Sequence, residues 1–346
     1  MKYLPARQDA DARANAAIIM TAAALLALTL LSVMLGRYPL SFDQLVGLLI
    51  KAGRHASGDA PTTEETIVYM VRLPRIVAAI MVGAGLSMAG SAYQTIFRNP
   101  IASPSLLGVS AGAGFGASLA LLMRGSVIEI EIGAFTGGLF AVALSFTANR
   151  LIGGRSVVTL VLCGMVMSAL FQALISMVKF VADPVEVLAS IAFWLMGGLS
   201  KINSQDAIAV SVPVICCAVI LYAFRWRISV LALGEAEAAS LGVDVARLRL
   251  LVIVCATLMS AATVCVAGII GWVGLLVPHM ARAVFGLAPG RLLLGSALGG
   301  ALFVLLVDDI ARAAFVVEIP LGVLTALIGA PFFLFLLMRA QSDRWS

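Results

Sequence analysis

The stretch Arg225–Leu250, RWRISVLALGEAEAASLGVDVARLRL, is the longest charged, non-spanning piece in the second half of the chain. Apolar segments flank it on both sides. Each is long enough to cross a bilayer, which takes about 20 residues of helix. Arg225 and Arg227 mark its front, and Arg247 and Arg249 its back. Between them lies an alanine-rich piece, Gly234–Gly242, that carries Glu235 and Glu237. A membrane protein that keeps such a loop on its basic side offers a handle to something soluble. The four arginines read as anchors to the membrane surface around that handle.

Working outward, the rest of the chain agrees. Of 346 residues, 62% are hydrophobic and 12% charged, where soluble domains carry about 25% charged residues. In lipid every backbone polar group needs an internal partner, and no alternating ten-residue pattern suggests a barrel. The expected fold is therefore an all-α polytopic membrane protein, a single transmembrane domain over 1–346 with no linker dividing it. The net charge of +5 sits in loops, so it reads as topology and not as a nucleic-acid footprint. Cys163, Cys216, Cys217, Cys255 and Cys265 all lie in apolar runs without CxxC spacing, which points to buried small hydrophobes and to neither a disulfide framework nor a metal site. The polar N-terminus has no signal-type cleavage site after it, so the first apolar run is expected to be a retained helix.

Ten spans are expected, at 16–35, 68–97, 104–123, 130–149, 157–180, 206–224, 250–268, 271–287, 292–311 and 321–338. The second exceeds what a bilayer needs, and Pro74 near its start suits a first turn better than an interior. An even count puts both termini on one side. Sorting the 23 basic residues gives 14 on the terminal side, Arg225, Arg227, Arg247 and Arg249 among them, and 9 on the other. That bias places the termini and the charged loop in the cytoplasm. Two outer stretches, 36–67 and 181–205, do not span. The second contains FWLMGGLSK, with Trp194 and Lys201 placed as interfacial anchors. Ala89-Gly90 is followed ten residues later by Pro100, and Ala267-Gly268 ten residues later by Pro278. The two copies run in opposite directions, a faint inverted repeat of the kind transporters use.

Several motifs have two readings. In RNPIASPSLLGVSAGAGFG, Arg98–Gly116, two prolines break the chain between spans, and Gly108, Gly112 and Gly116 recur every fourth residue. This is a tight loop with a helix-packing face, or the inner end of a translocation path. Within it GVSAG matches a nucleophile elbow around Ser110, but a proline-rich loop stands where a strand should. His279 and Arg282 lie inside an apolar span. With no carboxylate near in sequence, a carbonyl-bonded histidine and a snorkelling arginine are the expected roles, not a metal site. Arg72, Arg75 and Arg312 violate the topology rule on the outer side. They anchor at the interface, pair with Asp308 and Asp309, or dock an acidic partner. No G-x-x-x-x-G-K-[ST] exists, so the chain cannot supply a P-loop. No carboxylate or histidine relay of a proton-coupled pump is visible either.

The residues then point to a family. RLPR at 72–75 and GAGLSMAGSAYQTIFRNPIASPSLLGVSAGA from Gly83 to Ala113 resemble the permease subunits of binding-protein-dependent ABC importers for iron–siderophore complexes, haem and vitamin B12. LALGEAEAASLGV at 231–243, GWVGLLVPHMAR at 271–282, LVDDIAR at 306–312 and EIPLGVLTALIGAPFFLFLL at 318–337 extend the likeness over nearly the whole chain. The resemblance implies ten helices per subunit and a homodimer with the path at its two-fold interface. It implies two cytoplasmic ATPase subunits that hold ATP and magnesium, with no cofactor in this chain. It also implies a periplasmic binding protein whose acidic residues meet Arg72, Arg75 and Arg312. The ATPase-coupling residues would be Gly234, Glu235, Glu237, Ala238, Ala239 and Gly242. The inner gate would be built from Asn99, Pro100 and Ser103 with Ser156, Val157, Val158 and Thr159. The GGRSVVT start of the fifth helix is poorer in hydroxyls than a vitamin B12 member would have. The expectation is a non-enzymatic transport subunit in a bacterial inner membrane. Its cargo would be an iron chelate first, then haem, a corrinoid or an oxyanion. An ion-coupled secondary transporter and an intramembrane hydrolase through Ser110 are the readings from other classes.

Overall fold

The computed structural model describes residues 4–36, 38, 43–44, 47, 62–154, 156–314 and 317–342. Lys2, Arg37, Lys51, Arg54, Arg155 and Arg344 of the charge count, and His55, lie outside the described residues. All regular structure among the described residues is helical. The helices are α1 (Leu4–Met34), α2 (Thr63–Ile96), α3 (Val109–Leu122), α4 (Val127–Leu151), α5 (Val157–Val181), α6 (Val187–Met196) and α7 (Ser204–Ala223). They continue as α8 (Arg225–Leu233), α9 (Glu235–Ser240), α10 (Val245–Ala267), α11 (Val273–Phe285), α12 (Pro289–Ala313) and α13 (Leu321–Ser342). Among the described residues seven helices are long and apolar enough to cross a membrane, and each of the ten expected spans contains a helix.

The helices start where sequence chemistry says they should. Ser126 caps α4 with a capping box to Glu129, Ser156 caps α5, Asn203 caps α7 with Asp206 as its return partner, and Asp244 caps α10. Each cap satisfies amide N–H groups that have no partner within the helix, at about 1 kcal/mol apiece.

Two expected spans are shorter than predicted. The 104–123 segment opens with a 3₁₀ turn, Pro104–Leu107, then Gly108 at φ +89°, and only then α3, 14 residues long. The 271–287 segment is reduced to the 13 residues of α11, entered through Trp272 at φ +68°. At about 1.5 Å per residue such helices reach roughly 20 Å, less than the hydrocarbon thickness. Helix α2 departs in the other direction. Residues Thr66–Arg72 form a π-helical segment, so Pro74 lies inside a continuous helix and not at its start. The wide turn spares the proline ring its clash with the preceding carbonyls.

The inverted repeat becomes concrete in packing. Helices α2–α5 and α10–α13 share one plan: a long helix, an irregular break, a short helix, then two more helices. Helix α2 packs on α12, α10 packs on α4, and α2 and α10 pack on each other. The main core lies along α2, where Tyr93 stacks on Phe97 at 5.2 Å and its hydroxyl meets Thr257 Oγ1 at 3.0 Å. The four-residue glycine spacing works as a packing face. Gly112 and Gly116 of α3 face Gly137 and Gly133 of α4 so closely that a Cβ on either α3 glycine would overlap a carbonyl opposite.

The outer stretch 181–205 also differs from expectation, because it holds a helix of its own. Helix α6 ends at Gly197, and Gly198 N–H donates to the Ala267 carbonyl at 2.8 Å. Trp194 and Lys201 line a cavity of about 490 Å³ behind α6, together with Glu131, Asp206 and Cys265.

Candidate functional site

The charged loop folds into α8 and α9, a hinged pair whose inner face is anchored. Ile228, Leu231, Ala238 and Val243 are buried in the main core. That leaves Glu235, Glu237, Ala239, Leu241 and Gly242 on the outside. Gly234 sits at the hinge, covered by the Glu237 carboxylate and the Arg98 guanidinium, so a Cβ there would overlap Glu237. Of the six predicted coupling residues, Gly234 and Ala238 face inward and the other four form the exposed edge.

The flanking arginines do not all act as surface anchors. Arg225 lies over the Tyr222 ring at 4.4 Å and Arg227 over Phe224 at 5.1 Å, as an anchor would. Arg247 pairs with Asp244 at 3.1 Å. Arg249 instead turns inward and pairs with Glu235, tying the start of α10 to α9. The anchor reading is corrected for Arg249, because a carboxylate within reach outweighs a membrane surface.

The loop also touches the predicted inner gate. Arg98 Nη2 donates to the Leu231 carbonyl at 3.3 Å. Phe97, Arg98, Ser156, Val157, Leu231, Glu235 and Arg249 line one recess of about 440 Å³. The structure thus brings together the predicted coupling segment, the loop before Asn99 and Pro100, and the start of α5. Asn99 Oδ1 accepts from Ile101 N–H at 3.0 Å, and Ser103 and Ser105 share a hydroxyl hydrogen bond at 2.8 Å. Ser156 and Thr159 do likewise at 2.8 Å, and Val158 is exposed. The backbone of Arg98 at φ +47° is in the left-handed region, an uncommon conformation for a residue with a side chain.

Arg72, Arg75 and Arg312, the arginines expected on the outer side, are buried and bound within the chain. Arg75 grips Asp308 through Nε at 2.9 Å and Nη2 at 2.9 Å, and reaches Glu318 at 3.0 Å. Arg312 pairs with Asp309 at 2.5 Å and donates to the Ser32 carbonyl and hydroxyl at 2.6 Å. Arg72 donates to the carbonyls of Val33, Met34 and Tyr38. For Arg75 and Arg312 the carboxylate-pairing reading describes the observed contacts. For Arg72, three carbonyls play that part. The cluster laces α1, α2 and α12 together at one end of the bundle.

Residues 24–339 match the FecCD transport family. The chain belongs to the FecCD transport family. It is 41% identical over 303 residues to the molybdate import system permease protein MolB of Haemophilus influenzae, covering 88% of this chain and 89% of that one. It is 42% identical over 275 residues to a Helicobacter pylori protein named probable iron chelatin transport system permease protein, covering 80% and 83%. A solved structure described as an inward-facing, metal-chelate type ABC transporter superposes with a TM-score of 0.83 at 38% identity, covering 93% of this chain and 98% of that one. The chain is accordingly a multi-pass membrane permease of the ABC-importer class. Ser110 lines a cavity with Ser103, Ser105 and Ser260.

Some features of this FecCD chain escaped the sequence. His279 makes an edge contact with Phe333 at 6.5 Å, and its Nδ1 is buried without a partner, so the expected carbonyl bond is not formed at that atom. Glu131 on α4 and Asp206 on α7 both line the cavity behind α6. The only hint of that pair in the sequence is a glutamate five residues into an apolar run. Asp308 and Asp309, the carboxylates a secondary transporter would have needed, are both tied to arginines.

Proposed function

We propose that this FecCD permease is the membrane subunit of a binding-protein-dependent importer for a metal chelate, an iron–siderophore type complex first. It works as a homodimer in a bacterial inner membrane with both termini in the cytoplasm. Two ATPase subunits, which hold ATP and magnesium, grip the exposed edge of α9 through Glu235, Glu237, Ala239 and Gly242. Asn99, Pro100, Ser103, Ser156, Val157, Val158 and Thr159 form the inner gate. Arg72, Arg75 and Arg312 meet an acidic binding protein outside.

The observation that carries this reading is the shared recess between coupling segment and gate. A partner that moves α9 pulls on Leu231, and Leu231 is bonded to the residue that opens the gate loop. ATP binding by the partner then favours one gate state only if its affinity differs between the states. Metal chelates come first because a 38% identical structure of matching length is described as of the metal-chelate type. An oxyanion cargo is the second reading, favoured by the molybdate relative at 41% identity.

Uptake into proteoliposomes that hold the permease, its ATPase and its binding protein separates the two. Accumulation of iron-55 siderophore, and none of radiolabelled molybdate, supports the first. The reverse pattern replaces it with the second.

A further inference from the structure

The outer arginine cluster is balanced, with Arg72, Arg75 and Arg312 set against Asp308, Asp309 and Glu318. The three carboxylates are not equally free to move. The side chains of Asp308 and Asp309 are 0% and 5% exposed, whereas that of Glu318 is 29% exposed. Asp308 holds the inner edge of the Arg75 guanidinium through Nε and Nη2. Glu318 takes the outer edge, with Oε1 3.2 Å from Nη1 and Oε2 3.0 Å from Nη2. A carboxylate arriving from outside therefore meets a guanidinium whose outer fork is already filled, and Glu318 is the more exposed of its two described carboxylate partners.

What Glu318 holds matters as much as what holds it. It lies two residues before Pro320, and the next residue starts α13. The Leu321 N–H donates to the Gly197 carbonyl at the end of α6, at 2.9 Å. Gly322 packs against the Met196 and Ile269 carbonyls. Three irregular segments thus meet there: the end of α6, the break before α11 and the start of α13.

We propose that Glu318 is an exchangeable carboxylate: an acidic side chain of the docking protein displaces it from Arg75, and its release loosens the start of α13 and the end of α6. This inference rests on the docking reading above. Docking would then send its signal inward by breaking an internal ion pair, with Arg75–Asp308 staying intact as the fixed half of the site. Bidentate arginine sites suit such exchange because the fork presents the same geometry to either carboxylate.

The test uses the permease–ATPase complex in nanodiscs with its purified binding protein. Glu318→Gln leaves Asp308 on Arg75, so the buried pair and the fold are kept. It is expected to tighten binding about 10-fold at low salt, since no carboxylate has to be displaced. Basal ATP hydrolysis rises, and the added binding protein stimulates it less than in the parent complex. Glu186→Gln removes another outer carboxylate, one that is 74% exposed beside Arg124, and controls for charge alone; it should change affinity by less than about 2-fold. Unchanged or weaker binding by Glu318→Gln, in a complex whose parent binding weakens with salt, overturns the exchange while leaving docking in place. Parent binding that is indifferent to both salt and Arg75→Lys overturns the docking reading itself.

Discussion

Arg98 Nη2 lies 3.3 Å from the Leu231 carbonyl, a hydrogen bond that spans 133 residues of sequence and joins the loop after α2 to α8. The chain places an arginine where its backbone must take φ +47°, and its head group covers the hinge at Gly234. A local strain is held in place by a long-range contact, an arrangement typical of switching segments.

Arg98→Ala removes that joint without opening a buried cavity, because Arg98 is exposed. ATP hydrolysis should persist while cargo moved per ATP falls by about 10-fold, the loss of roughly 1.4 kcal/mol of coupling. The ratio of uptake to phosphate release in proteoliposomes checks this.

The outer edge of α9 should behave as a contact surface and not as part of the fold. Glu237→Arg or Ala239→Trp is expected to leave the melting temperature of the purified permease unchanged. Either should lower co-purification of the ATPase or uncouple its hydrolysis from transport. Ala238→Trp makes the opposite pattern, since Ala238 is fully buried: stability falls by about 1–3 kcal/mol through overpacking.

At the α3–α4 contact, Gly116→Leu forces two backbones apart, because its Cβ has nowhere to go but the Gly133 carbonyl. A loss of at least about 1–3 kcal/mol is expected. Thermal unfolding in detergent measures it, with Gly198→Ala, where a Cβ meets open space on a backbone without positive φ, as a comparison that costs less.

Breaking the outer lacing from the buried side should cost more than breaking it from the exposed side. Asp308→Ala leaves Arg75 with only Glu318 and should cost about 3–5 kcal/mol. Glu318→Gln should cost under about 1 kcal/mol, as partly exposed pairs do. Chemical unfolding of the two variants side by side gives the ordering.

The sequence revealed what depends on local pattern. Hydropathy located ten helices, the four-residue glycine spacing located the α3–α4 contact, and the charge island located α8–α9. It did not reveal pairings that the fold creates. Arg75 and Asp308 are 233 residues apart, and Arg249 and Glu235 are 14 apart across a turn whose direction no periodicity encodes. The short reach of α3 and α11 was hidden for another reason. Their apolar runs are long enough to span, but Pro104, Gly108 and the left-handed turn at Trp272 use up the first residues. The ten-residue α6 was hidden because its segment reads equally well as a loop with an aromatic anchor.

In the proposed mechanism this permease moves cargo only when a separate ATPase engages α9. The most direct measurement is uptake of iron-55 siderophore into proteoliposomes with the ATPase present, with it omitted, and with it present beside Glu237→Arg permease. Uptake that needs ATP and the ATPase, and that falls at least about 10-fold with Glu237→Arg, is the predicted result. Equal uptake in all three, driven by an ion gradient alone, would contradict it.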